Sequence, residues 1–248
     1  NMSWLLMALF VPGVAVSGFP GQKVAERKTV AKDFDFPLER RTLSNGLNVL
    51  LSPDSFANDV SVDLSFGCGA LEQPPGKAGL AHLTEHALAS GPTPETDYRR
   101  LLERRGATVF NGLTTVDRLS FVVVVPPEEL ELALWANADR LGTLPALLTA
   151  DELERHRRIV MQEKLLRIED APYGASVRMA MRQLFPKTHP LHEGVMGTEA
   201  TLKGVTVGDV QGFARACLLP NNAVLTIAGR FTVDDAMAQV ERTLGRLP

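Results

Sequence analysis

The sequence predicts an α+β fold: a mixed, largely antiparallel sheet backed by helices. Three observations carry that expectation. Strand-like and helix-like segments follow one another without strict β-α-β alternation, which argues against a parallel sheet built from crossover helices. Asn45-Gly46 stands between two apolar stretches within residues 41–51, a strong hairpin signal because both residues tolerate the positive φ of a tight turn. Residues 60–66, Val-Ser-Val-Asp-Leu-Ser-Phe, alternate apolar and polar, the period of a strand buried on one face.

The remaining elements follow in order. The glycine-rich stretch 67–79 reads as a loop, with a helix starting near Ala78 to Leu80. A second helix spans about 97–105 and stops at Gly106, and strands follow at 107–113 and 119–125, the second closed by Pro126-Pro127. Residues 128–141 carry helical spacing through Leu130, Leu134, Ala138 and Leu141. Residues 150–168 read as a long polar helix with apolar Leu153, Ile159, Val160 and Leu166. Helices at about 173–185 and 206–217, a strand at 223–228 and a last helix at 232–244 complete the chain, which shows no internal repeat.

Composition narrows the function classes. With 248 residues, 45% hydrophobic and 22% charged, the chain has the make-up of a globular domain. A net charge of −3 gives no electrostatic case for nucleic acid, since phosphate binding needs a clustered basic surface. The basic stretch 23–41 is interrupted by Glu26, Asp33, Asp35 and Glu39 and reads as a solvated leader. Residues 1–18 hold an apolar run ending in small residues, which resembles a secretory signal segment and is shorter than the roughly 20 residues a spanning helix needs. Export to the periplasm or the extracellular space is the expectation. Residues 19–37 read as a linker, and 38–248 as the folded domain. Cys68 and Cys217 are too few for a disulfide framework and fit neither a redox CxxC nor a zinc ribbon; buried thiols are expected, with one long-range disulfide open to an exported chain.

The chemistry lies in His82-Leu-Thr-Glu-His86. On a helix, positions i and i+4 stack on one face with Cβ atoms about 5–6 Å apart, so both imidazoles can reach one cation. Glu85 is offset by one residue and can lean over that cation as a base without ligating it, the inverted zinc-protease pattern. Catalytic zinc takes three protein ligands as a rule, and the helix at 150–168 offers Glu152, Glu154 and Glu163 for the third. Ile159, Glu163 and Leu166 fall on one face by periodicity, and that face is expected to point into the core. His189 and His192 also form an H-x-x-H, but Pro190 places them in a loop. A zinc-stabilised binding module would want four ligands in a closed site, which the sequence does not offer.

From Leu43 to the C-terminus the sequence resembles the pitrilysin/insulinase family of metallopeptidases. The resemblance runs through Leu43-Ser-Asn-Gly-Leu47, Gly79-Leu-Ala-His-Leu-Thr-Glu-His86, Asn111 with Thr114 and Asp117, Ala138-Asp-Arg-Leu141, Gln162-Glu163, His189-Pro190, Gly197 and Pro220-Asn-Asn222. It implies that a glutamate about 77 residues past the second histidine completes the zinc site, and 163 − 86 = 77 selects Glu163. It also implies zinc-dependent cleavage of an extended peptide bound at the strand edge near Asn111, Gly112 and Leu113. The fold it implies is one half of a clamshell, so that a second homologous half or a partner subunit, in a homo- or heterodimer, completes the enzyme. Members that only shape the chamber typically lose the zinc motif, whereas this chain keeps all four residues. Three positions depart from the pattern. His156 replaces an acid thought to support the ligands from behind, Gly112 replaces an alanine, and Cys217-Leu-Leu-Pro220 lacks a tyrosine before the proline.

Overall fold

The computed structural model describes residues 37–90 and 97–248. The leader 1–18 and nearly all of the linker 19–37 lie outside them. Strand β1 (Glu39–Thr42) turns through Asn45-Gly46, with Gly46 at φ +88°, into β2 (Asn48–Pro53), as the hairpin signal predicts. Strand β3 (Val60–Phe66) follows, then helices α1 (Leu80–Ala89) and α2 (Tyr98–Arg104), and the hairpin of β4 (Val109–Thr114) and β5 (Leu119–Val125). Beyond it lie α3 (Leu130–Gly142), α4 (Leu144–Leu147), α5 (Ala150–Lys164), α6 (Gly174–Leu184), α7 (Glu199–Lys203) and α8 (Val207–Cys217). Strand β6 (Ala223–Gly229) and helix α9 (Val233–Arg242) come last.

The six strands form one sheet in the order β1-β2-β6-β3-β5-β4. Only the β2–β6 pair is parallel, because β6 arrives late in the chain and inserts between β2 and β3. Alternation decides which face is covered: Val60, Val62, Leu64 and Phe66 of β3 are buried, while Ser61, Asp63 and Ser65 between them are half-exposed. Burying each such apolar side chain contributes roughly 1.5–3 kcal/mol as an upper figure. Helix α3 packs on β3 and β5, and α1 on β4 and β5, with α1 also held by α5 and α8.

The start of α1 is fixed from several sides. Gln73 accepts a hydrogen bond from the Ala81 N–H (3.0 Å) and donates to the Ala70 carbonyl (2.8 Å), both buried. Gly197 sits against the residues just before the helix with φ +64°, and a Cβ there would lie 2.1 Å from the Ala78 carbonyl oxygen. The neighbour is backbone and cannot swing away. Gly197→Ala is expected to cost about 2–4 kcal/mol through left-handed strain plus displacement of this junction, read as a lowered midpoint in chemical denaturation.

Helix α5 corrects one expectation. Its buried residues are Leu153, His156, Val160 and Lys164, the stripe that meets the core. Ile159 is 42% exposed and Leu166 64%, so the face carrying Glu163 does not enter the core. It borders a cleft. The α-helical turns stop at Lys164 rather than Ile168, and a π-helical turn covers Leu165–Glu169.

Candidate metal centre

Helix α1 passes behind β4, and α5 crosses beside it; their meeting point forms the wall of a cleft of about 510 Å³. His82 and His86 project into it from successive turns of α1, their rings 4.7 Å apart edge to face. Glu163 reaches in from α5, with its Oε2 3.0 Å from His86 Nε2 and 3.7 Å from His82 Nε2. One atom from each of the three lies within 4.8 Å of the others. Tetrahedral zinc with bonds near 2.0–2.1 Å places its ligands roughly 3.3 Å apart, so this donor set fits such an ion.

Electrostatics agree with that role. Burial pushes the His82 imidazole down to about 3, aided by the nearby His86 and Arg167 charges, so it is neutral and its lone pair is free at ordinary pH. His86 is also lowered, chiefly by burial, although Glu163 opposes the shift. The other oxygen of Glu163 pairs with Arg167 at 2.8 Å, which leaves Oε2 facing the histidines.

Glu85 lies just outside the three-residue group, its Oε2 3.8 Å from His82 Nε2. Burial raises its carboxyl to about 7, offset by a hydrogen bond that Thr114 Oγ1 donates to Oε2 at 3.0 Å. A Cβ on Gly112 would sit 2.2 Å from Glu85 Oε1, so glycine at this position leaves the carboxylate room against β4. Asn111 and Leu113 are the more exposed neighbours on the strand, and both line the cleft with Gly112. Behind this wall Arg140 is buried, with its guanidinium 4.1 Å from the Phe121 ring and a 2.6 Å hydrogen bond to Asn137; burial lowers it to about 10, which leaves it charged.

His156 is buried in the cleft wall. Its Nε2 meets Arg155 at 3.1 Å, its Nδ1 has no hydrogen-bond partner among the described residues, and burial first, then Arg155, lowers it to about 4. His189 and His192 sit in the 185–193 loop, where Phe185 stacks on His189 and the Phe185 carbonyl meets His192 Nδ1 at 2.8 Å; they are not part of the metal group. Sequence reasoning passed over Thr114 as a partner of Glu85 and Arg167 as a partner of Glu163. The latter had a signal, the i,i+4 spacing of opposite charges, whereas the former depends on how β4 is set against α1.

Two histidines one turn apart, a carboxylate from a second helix and an unligated glutamate beside them define a metallopeptidase-type centre of the inverted zinc-protease pattern. The chain belongs to the insulinase family, peptidase family M16: residues 48–199 match the model described as "Insulinase (Peptidase family M16)" and residues 204–248 that of the "Peptidase M16 inactive domain". It is 25% identical over 194 residues to the zinc protease PqqE of Helicobacter pylori, across 77% of this chain and 43% of that protein. Against the probable zinc protease PqqL of Escherichia coli it is 25% identical over 249 aligned residues, covering 95% of this chain and 25% of that one. The crystal structure of a protease from Helicobacter pylori shares the fold with a TM-score of 0.78 at 23% identity, across 86% of this chain and 51% of that one. The chain thus spans about half the length of the shorter relatives and about a quarter of PqqL.

Proposed function

We propose that this chain is the zinc-carrying part of an endopeptidase that hydrolyses extended or unfolded peptides and that needs a second homologous half, or a partner subunit, for full activity. The convergence of His82, His86 and Glu163 beside Glu85 carries the reading. Zinc held there would supply Lewis acidity, activating water and polarising a peptide carbonyl. Glu85 takes the proton from the attacking water and returns it to the leaving amine; a carboxyl poised near neutral pH suits both transfers. Thr114 holds that carboxylate in the cleft wall through its hydrogen bond to Oε2.

Among the described residues, strand β4 is an edge of the sheet, beside these groups. The Thr115 N–H bonds the Arg118 carbonyl across the hairpin at 2.7 Å, and by alternation Leu113 and Asn111 also direct their backbone groups at β5. Phe110, Gly112 and Thr114 therefore face outward, and the outward Phe110 carbonyl accepts from Arg99 at 3.0 Å. A peptide added as a further strand would pair with Gly112 and Thr114, next to Glu85.

The chain by itself is expected to be a feeble peptidase. Holding a flexible peptide in line can be worth about 7–11 kcal/mol of barrier, and one cleft wall supplies only part of that. Each oxyanion donor missing with the other half costs roughly 10²–10³ in rate. Assaying an unstructured fluorogenic peptide with the 248-residue chain, then after adding the candidate second half, checks this. Equal rates would mean that the chain is self-sufficient.

A further inference from the structure

The two cysteines lie far apart in sequence and meet in the core. Cys68 follows the last residues of β3, and Cys217 ends α8; their exposures are 1% and 6%. Asn222 ties their neighbourhoods together: its carbonyl accepts the Gly67 N–H at 3.1 Å, and its side-chain amide donates to the Cys217 carbonyl at 2.9 Å. Both are free thiols in the same apolar core, and each shifts the other: the neighbouring Cys217 thiol, then burial, holds Cys68 protonated, while Cys68 lowers Cys217. Neither sulfur takes part in the metal group.

We propose that Cys68 and Cys217 are a disulfide-forming site that, once oxidised, staples the end of β3 to the end of α8 behind the metal-site helix. The oxidant is a small or protein-borne disulfide. One cysteine thiolate attacks it, forming a mixed disulfide and releasing one thiol; the other cysteine then attacks the protein sulfur and releases the second. Two protein thiols are oxidised to one disulfide, and the donor disulfide takes up two electrons and two protons. Because both sulfurs are buried, this exchange occurs during folding or in a locally opened state.

The staple has mechanical consequences for the site. The Cys68 end leads through Gly69 and Ala70 to Gln73, which holds the first turn of α1, and α8 packs along α1. A bond between residues 68 and 217 closes a loop of 217 − 68 = 149 positions, so it removes much chain entropy from the unfolded state.

The test refolds the 248-residue chain in a reduced/oxidised glutathione buffer, then maps cysteines by mass spectrometry after alkylation in denaturant. Expected are a Cys68–Cys217 cross-linked peptide and a melting temperature on the order of 10 °C above that of the dithiothreitol-reduced chain, with no such difference in Cys217→Ala. If that variant does not fold, the oxidised and reduced wild-type chains still give the comparison. Two fully alkylated thiols, glutathione adducts without a cross-link, or a cross-link with no rise in melting temperature each overturn the proposal.

Discussion

Glu85→Gln is expected to leave zinc in place while peptide hydrolysis, measured with whatever second half completes the enzyme, falls by about 10²-fold or more. The amide has nearly the size of the carboxylate, and its oxygen can still accept the hydrogen bond from Thr114, so the side chain keeps its place in the space left by Gly112. It cannot take a proton near neutral pH, however. Glu85 is also not one of the three closest donor atoms, so metal content should be unaffected. Undiminished turnover in a zinc-loaded Glu85→Gln protein would assign the base to another group.

Glu163→Gln is expected to strip the metal. The wild-type chain should hold about one zinc ion after dialysis, and the variant close to none, read by elemental analysis. Glu163 supplies the only negative charge of the donor set, and its Oε2 stands against both imidazoles. An amide oxygen is a far weaker donor to a divalent cation, and the loss of charge leaves Arg167 without its partner beside the site. His82→Ala should lose zinc as well, although it also empties a buried position. Since Glu163 lies at a cleft rather than in the core, the glutamine variant should unfold at nearly the denaturant midpoint of the metal-free wild-type chain, and below that of the zinc-loaded one. Stoichiometric zinc in either variant would reassign the ligands.

How far the sequence reaches is clearest in particular elements. Strands β3 and β5 have the boundaries that alternation and the Pro126-Pro127 stop predict, because a strand half-buried against helices must alternate. The α1 histidines are legible since i,i+4 geometry is local. Glu163 could be singled out by the family spacing, but its surroundings could not: Ile159 and Leu166 suggested a core-facing side, whereas the core takes His156 and Lys164. Periodicity weighs apolar side chains and misses polar groups buried along a helix. Nor does it register the π turn Leu165–Glu169, which Lys164 spans by an ion pair to Glu169. Helices α4 and α7, of four and five residues, are too short to show a period. The contacts of Thr114 with Glu85, and of Cys68 with Cys217, arise only when the sheet and helices are assembled.

The two edges of the sheet are treated unequally. Strand β1 at one end reads Glu-Arg-Arg-Thr, and charges of this kind discourage a second chain from pairing there. At the other end β4 reads Val-Phe-Asn-Gly-Leu-Thr, without a charge, and with Val109 and Leu113 exposed. In colloidal terms that edge is adhesive: it invites strand pairing from any extended chain, including a partly unfolded copy of itself. The uncharged edge on which the proposed peptide pairing rests is therefore also a place where concentrated protein would begin to aggregate, and a lysine at Val109 would be the simplest way to blunt it.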